Sequence, residues 1–376
     1  MQFDMNIMNN SYVETDMNIY RQNMNIILSS LPEGCTLIPV LKCNAYGLGM
    51  TELAKPAAEL ARVSYIAVSH VAEGLELRAA GIEKDILVMS SALPSQLAAA
   101  VLAHLTLAAR SADFVRALDA AAGSLGMAAK VHIKIDTGLH RIGAEPGAEL
   151  DELISALRSC KHVEATGVFS HFADTDNEAA TRGQYELFTK ALSQLEDAGY
   201  TALLRHISCS AAFEKYPEYS LDAVRIGRGL LMDAPYVRDG KIGEIASWRT
   251  FITAIKARHA GDSLGYGGAF HLEHDAVIAT LGIGYGDGLD RRLCKVHAPV
   301  LINGKKCPLL TCCMDQSFVD VTGLDCAVGD EVTIFGRDGA GNFLSSQAQS
   351  ELFGGDEGCG MTSALSTRVA RVYINK

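Results

Sequence analysis

Apolar residues fall along this chain in two textures. From about residue 17 to 230, short apolar runs alternate with longer stretches of helical periodicity. The runs are TLIPVL (36–41), YIAVS (65–69), ILVMS (86–90), HLTLA (104–108), VHIKID (131–136), VEATGVFS (163–170), LLRHIS (203–208) and DAVRIG (222–227), eight in all. Between them lie stretches such as GMTELAKPAAELARV, HVAEGLELRAAGI and EPGAELDELISALRSC. Short apolar runs alternating with helices imply parallel, doubly covered strands joined by right-handed crossovers. Eight such units in roughly 200 residues predict a (β/α)8 barrel, with a doubly wound sheet as the competing arrangement.

After about residue 240 the pattern changes. Segments such as IASWRTFITAIKARHA, DAVIATLGIGYGD, KVHAPVLINGKKCPLL, FVDVTG and DEVTIFG are β-rich and carry turn signals at short intervals. They predict a second, all-β domain, antiparallel and barrel-like. We place the barrel at residues 1–240 and the β domain at 241–376, with the first residues, to about position 12, available to pair with the second domain. No low-complexity linker separates the two, so they are expected to pack together.

Composition narrows the function classes. The 376 residues are 48% hydrophobic and 20% charged, enough for two cores. The net charge is −11, from 33 basic and 44 acidic residues, and no basic run occurs. Nucleic acid and anionic membranes are therefore poor partners. The opening MQFDMNIMNNSYVETDMN lacks the basic start and apolar core of a signal peptide, and no stretch approaches a spanning helix. A cytoplasmic protein with reduced thiols is expected. The ten cysteines form no CxxC pair and no zinc pattern, so no metal is expected and most should be small buried hydrophobes.

Barrel enzymes place their chemistry where strands end. The first run ends in Lys42, followed by the turn CNAYGLG with Tyr46. Taken alone, such a lysine is a solvated or paired one; the functional reading is a desolvated amine suited to carbonyl chemistry. The fifth run gives KIDTGLHRIG, with Lys134, Asp136 and Arg141, either a structural ion-pair cluster or an arginine held to receive a carboxylate. The sixth ends in FSHFADTD with His171, the seventh in RHISCSAAF with His206 and Ser210, and the eighth in VRIGRG with Arg225, Gly227 and Arg228. Serine and glycine after strands seven and eight suit a phosphate cup. Together with Lys42 they point to pyridoxal 5′-phosphate (PLP), held by the lysine with its phosphate at the far wall.

These segments, with LGYGG, IGYGDG and CCMDQSFVDVTG, occur in an order that resembles the alanine racemase family over nearly the whole chain. The resemblance implies a PLP enzyme with a barrel and a β domain, working as a homodimer whose active sites use both chains. It implies that Lys42 holds PLP and acts as one base, and that Tyr266 is the opposite base, presented by the partner subunit. Arg225 would contact the pyridine nitrogen with His171 behind it, and His206 would support that arrangement or Tyr266. Arg141 would position the tyrosine and the substrate, and Lys134 would be carbamylated to hold Arg141. Tyr46, Ser210 and the amides of Gly227 and Arg228 would hold the phosphate. Met314 and Asp315 would line the substrate carboxylate, and Tyr285 would guard the entry.

The chain departs from the family pattern at four places: Leu48 for a histidine, Cys209 for an asparagine, Cys359 where a tyrosine is usual, and Ala370 for a proline. A smaller residue at Cys359 leaves room for a hydroxymethyl group, which keeps serine open beside alanine as substrate. Two readings of other kinds stand beside racemisation. One is a PLP-dependent decarboxylase of basic amino acids, against which Arg225 and Tyr266 argue. The other is a non-catalytic PLP-binding protein, against which the β domain argues.

Overall fold

The structure is a computed structural model that describes residues 9–232, 242–355 and 359–376; of Cys359 it describes the backbone alone. The domain boundary expected at 240/241 lies outside the described residues, as do the first eight.

The eight apolar runs are eight strands: β2 (Thr36–Pro39), β3 (Ile66–Val68), β4 (Ile86–Val88), β5 (Leu105–Ala109), β6 (Ala129–Lys134), β7 (Val163–Phe169), β8 (Leu204–His206) and β9 (Ala223–Ile226). Strands β3 to β8 form one parallel sheet, and β2 pairs in parallel with β9, the first strand with the last. Isolated bridges Leu37↔Val63 and Val40↔Ala67 join β2 to β3. The amides of Asp222 and Arg225 donate to the carbonyls of Arg205 (3.1 Å) and Ser208 (3.0 Å), joining β9 to β8. The ring is therefore closed, as the (β/α)8 reading expects. Helices pack outside it, including Met50–Glu59, Val71–Ala79 and Ala148–Ser159, within the periodic segments named above.

Strand parity decides what faces the barrel axis, because successive side chains alternate. Val131, Ile133 and Ile135 belong to the large core under the helices. The alternate residues Ile38, Val40, Tyr65, Ala67, Leu87 and Ala223 form a separate small cluster inside the ring. His132, Lys134, His206 and Arg225 share that inward parity and are all buried. The same parity, extended one step past β2, brings Lys42 out at the mouth.

The second domain is also a barrel. Its strands are β10 (Ala246–Arg258), β11 (Ser263–Leu264), β12 (Phe270–His271), β13 (Ala276–Leu281), β14 (Pro299–Ile302), β15 (Lys305–Cys312), β16 (Ser317–Asp320), β17 (Glu331–Arg337), β18 (Phe343–Leu344) and β19 (Ala370–Ile374). The order β17-β14-β15-β16-β13-β10 closes through a β17–β10 pairing and removes the sheet edges there. The N-terminal strand β1 (Ser11–Asp16) joins this domain, antiparallel to β10 and parallel to β19. It alternates buried and half-buried residues, and continues past position 12 to Asp16.

Among the described residues no helix is long and apolar enough to cross a membrane, and no cluster of ligating side chains could hold a metal. Nine cysteines are described, all free: Cys35, Cys294, Cys307 and Cys312 are buried, four are half-buried and Cys43 is exposed. Fewer than half are thus buried hydrophobes. The expectation overlooked that several, such as Cys43 and Cys313, stand in turns, where the backbone keeps one side open to solvent.

Candidate active site

A cavity of about 250 Å³ opens at the barrel mouth. Its wall follows the inward parity: Val40 and Lys42 from β2 and its extension, Ser69 after β3, Met89 after β4, Phe169 and His171 from β7 and beyond. Arg141, Ser210, Arg225, Gly227, Arg228, Tyr46 and Cys209 also line it, beside Ser90 and Ala211. Among the described residues, Lys42, Arg141, Arg225 and Arg228 are its charged residues, and no Asp or Glu lines it. Four cations lining one cavity fit a ligand carrying several negative charges, such as a phosphate together with a carboxylate.

Lys42 is held by an unusual turn. Cys43, Asn44, Ala45 and Tyr46 all have left-handed backbone, with φ of 53°, 54°, 51° and 55°. Each such non-glycine residue costs about 1–2 kcal/mol, so surrounding contacts must impose the shape. Two do so visibly. The Cys43 amide donates to the Glu73 carboxylate at 2.5 Å. The Asn44 side-chain oxygen accepts from the Met50 amide at 2.9 Å. Gly47 and Gly49 follow with φ of 87° and 101°.

The turn brings Tyr46 across to β9. A Cβ on Gly227 would stand 2.3 Å from the Tyr46 hydroxyl, so only glycine admits that approach. The Ser210 hydroxyl accepts from the amides of Gly227 (3.4 Å) and Gly229 (3.3 Å). Tyr46, Ser210 and Gly227 therefore meet, as expected, at the wall facing Lys42. Gly229, which the sequence reading did not include, joins them.

Arg225 is 3% exposed and nearly every donor it has is used. Its Nη1 donates to the His206 Nδ1 (2.9 Å) and the His206 carbonyl (3.1 Å). Its Nη2 is shared among the carbonyls of Ser170 (2.8 Å) and Ile207 (3.0 Å) and the His171 Nδ1 (3.0 Å). Burial lowers its pKa to about 10, which leaves it a cation at neutral pH. The remaining donor, Nε–H, has no partner among the described residues. An arginine with both terminal nitrogens tied and one N–H left over, in a cationic cavity, fits an acceptor on a flat ring. The residues present thus suit both ends of PLP, its phosphate and its ring nitrogen.

Both histidines on Arg225 are neutral. Burial, then the positive charge of Arg225, pushes His206 and His171 well below the ordinary imidazole range. His206 is fully buried behind Arg225 and does not line the cavity. Lys134 sits one step deeper than the mouth, its Nζ 2.6 Å from the Ile135 carbonyl and 5.4 Å from the centre of the Phe169 ring. Burial and then Arg225 lower its pKa to about 7, with Arg141 adding to the effect and Asp136 opposing it. Arg141 is exposed at the rim.

The expected residues of the β domain gather elsewhere. Tyr266, between β11 and β12, is 68% exposed, and Met314 is 53% exposed. The Tyr285 and Gly286 amides donate to the carbonyls of Cys313 (3.1 Å) and Met314 (2.7 Å), so Tyr285 and the Met314–Asp315 loop form one unit. Gly265, next to Tyr266, lies against Thr311 of β15, the strand leading to that loop. None of Tyr266, Tyr285, Met314 or Asp315 lines the cavity that holds Lys42. Cys359 begins a short helix, Cys359–Ser363, and its side chain lies outside the described residues. Leu48 is fully buried, away from the cavity, whereas Cys209 lines it.

The family profile "Alanine racemase, N-terminal domain" matches residues 15–235, and "Alanine racemase, C-terminal domain" matches 245–373. An alanine racemase of Symbiobacterium thermophilum is 35% identical, over 98% of each chain. One from Methanococcus maripaludis is 33% identical, over 97% of this chain and 98% of the relative. Among solved structures, the alanine racemase of Bacillus anthracis with bound L-Ala-P superposes with a TM-score of 0.91, at 30% identity over 98% of this chain and 96% of that one. The alanine racemase of Clostridium difficile 630 gives a TM-score of 0.90, at 30% identity over 97% and 96% of the two chains.

Proposed function

The chain belongs to the alanine racemase family, and on that footing we propose that it interconverts L- and D-alanine with PLP, using Lys42 and a tyrosine from a second copy as opposed bases. Lys42 would hold the cofactor, with Tyr46, Ser210, Gly227 and Gly229 at its phosphate and the free Nε–H of Arg225 at its ring nitrogen. Once bound, the cofactor supplies an electron sink that acidifies the α-proton of alanine. The rest of the work falls to side chains. Inversion requires a proton to leave one face and another to arrive on the opposite face, so two bases must flank the α-carbon. Lys42 supplies one face. The rim guanidinium of Arg141 suits the substrate carboxylate or the phenolate of the second base.

The observation that carries the second half is a separation. Tyr266 and Met314 are large, exposed and on a domain whose described residues contribute nothing to the cavity of their own chain. An exposed tyrosine in a glycine-bracketed turn and a base-bearing cavity without its partner complement one another. A homodimer with shared sites, each completed by the partner's β domain, satisfies both. Mixing a Lys42→Ala chain with a Tyr266→Phe chain tests this. One dimer arrangement then has a site with both bases intact, and activity should return to about a quarter of wild type for random pairing. No recovery on mixing overturns the shared site; failure of the wild type to exchange the α-proton of alanine in deuterium oxide overturns the racemase reading. Serine as substrate rested on Cys359, and no observation favours it.

A further inference from the structure

The inward face of β6 carries a residue that the reaction, as argued so far, does not use. His132 lies at the barrel axis, fully buried, one parity step below Lys134. Its Nδ1 is 2.9 Å from the Nε2 of His206, and the two rings meet nearly edge to face with centroids 5.1 Å apart. We propose that His132 is a positioning residue for Arg225, acting through His206 by fixing which nitrogen of that ring carries the proton.

Donor and acceptor logic sets the direction of the chain. A guanidinium has N–H groups to give and no lone pair. The His206 Nδ1, 2.9 Å from the Arg225 Nη1, must therefore be the unprotonated nitrogen. A neutral His206 then carries its proton on Nε2 and donates it to the His132 Nδ1. His132, neutral in turn because burial and the charge of Arg225 lower its pKa to about 3, carries its own proton on Nε2. The chain runs His132 ← His206 ← Arg225, with every lone pair trained toward the guanidinium.

The last proton in this chain has nowhere to go. The His132 Nε2 is buried with no hydrogen-bond partner among the described residues. It abuts Gly167 on β7, where a Cβ would stand 2.6 Å from that nitrogen, and the edge-on Tyr65 ring lies 4.8 Å from the imidazole centre. A buried donor without an acceptor is unfavourable and rare in native structures. Any apolar residue of similar size would fill the same space without that cost. The use of an imidazole here is explained by its other nitrogen, which gives the His206 Nε2–H its acceptor.

The consequence for the site rests on Arg225 serving the cofactor ring, as proposed above. His206 and His171 present lone pairs to the two terminal nitrogens of Arg225, so that only Nε–H remains to face the cavity. If the His206 Nε2–H loses its acceptor, that ring is free to turn, and one of the two imidazole acceptors on the guanidinium goes with it, leaving the backbone carbonyls and His171.

The test uses holoenzyme labelled with ¹⁵N-histidine. A two-bond coupling through the hydrogen bond from the His206 Nε2 to the His132 Nδ1 is expected in the wild type and should vanish in His132→Phe, which keeps a ring of similar bulk. The Phe variant should lose about tenfold in kcat, the scale of one buried hydrogen bond, with KM little changed and the cofactor dissociation constant raised. His132→Asn, which places an amide oxygen near the former Nδ1, should recover most of that loss. Absence of the coupling in an active wild type, or a coupling with His132 as donor, overturns the proposal while leaving the racemase reading intact. Unchanged kinetics and cofactor affinity in a folded Phe variant overturn it as well. Where that variant does not fold, the wild-type coupling decides.

Discussion

The guanidinium of Arg371, in the last strand of the chain, donates to the carbonyl of Gly47 at 2.9 Å. Gly47 ends the left-handed turn that carries Lys42, so opposite ends of the sequence meet behind the candidate base. The same guanidinium donates to the carbonyls of Ser366 (2.6 Å), Val369 (2.6 Å) and Leu365 (3.1 Å). The approach leaves no space: a Cβ on Gly47 would lie 1.9 Å from the Thr362 carbonyl oxygen, and one on Gly49 1.7 Å from the Tyr373 hydroxyl. That hydroxyl donates to the Leu48 carbonyl at 3.0 Å. Arg371→Ala should destabilise the chain by about 2–4 kcal/mol, since it strands several carbonyls at once. It should also loosen PLP, seen as cofactor lost on gel filtration. Arg371→Lys should recover only part, because a point charge cannot span the same acceptors. Equal melting temperatures for wild type and the Ala variant would contradict this.

Glu73 clamps the turn from the other side. One carboxylate oxygen accepts from the Cys43 amide at 2.5 Å, and the other accepts from the amides of Ser69 (2.8 Å) and His70 (3.0 Å). One side chain thus caps the helix Val71–Ala79 and holds the residue after Lys42 in left-handed backbone. Hydrogen bonds to a charged acceptor are worth about 1.5–3 kcal/mol. Glu73→Gln keeps an oxygen for one side and turns a donor toward the other, so one of the two sets fails. The expected outcome is a fall in kcat/KM of about tenfold or more, with a weaker cofactor hold. Glu73→Asp, a methylene shorter, should reach the helix cap but not Cys43, and should lose activity with little loss of stability. Normal kcat/KM in both variants would remove Glu73 from the positioning of Lys42.

Much of this arrangement could be read from the sequence because it rests on strand parity and strand ends. The eight apolar runs mark the barrel, and Lys42, Arg225 and Ser210 follow from where the runs stop. His132 and Glu73 escaped for different reasons. In VHIKID the histidine alternates with apolar residues exactly as a half-exposed strand residue would, and only barrel closure turns that polar face inward. Glu73 sits in the first turn of an amphipathic helix, where an acidic residue is ordinary. Its second role depends on a left-handed turn thirty residues earlier, formed without glycine at four positions that no local preference favours. The placement of Tyr266 away from its own chain's cavity depends on domain packing, which leaves no trace in local pattern.

Lys134 predicts a pH dependence with a definite sign. Its folded pKa of about 7 lies below the ordinary lysine value of 10.5, chiefly through burial. Between those values the unfolded chain binds the extra proton and the folded chain does not. Stability from this residue is therefore lowest below pH 7 and rises as pH climbs through the window, by up to about 1.4 kcal/mol per pH unit. In carbonate-free buffer, Lys134→Met should flatten that slope in denaturant titrations at several pH values. The neutral amine is also a nucleophile for carbon dioxide: its nitrogen bonds the carbon and a proton leaves. With ¹³C-bicarbonate above pH 7, a carbamate carbonyl signal is expected that Lys134→Ala lacks. The signal should fade as pH drops below 7, and its absence throughout would exclude carbamylation.

Arg225 offers the sharpest chemical prediction. With a pKa of about 10 it remains protonated at working pH, so its Nε–H would hydrogen-bond a ring nitrogen without giving the proton up to it. A cofactor held this way is a weaker electron sink than one beside a carboxylic acid, which can share its proton. A weaker sink shortens the life of the deprotonated substrate, which favours reprotonation at the α-carbon over side reactions. Arg225→Glu should therefore raise the fraction of turnovers that end in transamination, measured as pyruvate formed per racemisation event. Racemisation itself should fall steeply, because His206 and His171 lose the donor that both lone pairs face. Arg225→Lys supplies the control: it keeps a cation and loses the planar fork, so rate should drop while the partition stays near wild type. If Arg225→Glu and Arg225→Lys give the same partition, charge at the ring nitrogen does not set the reaction outcome, and the five acceptors that hold the guanidinium have only a structural purpose.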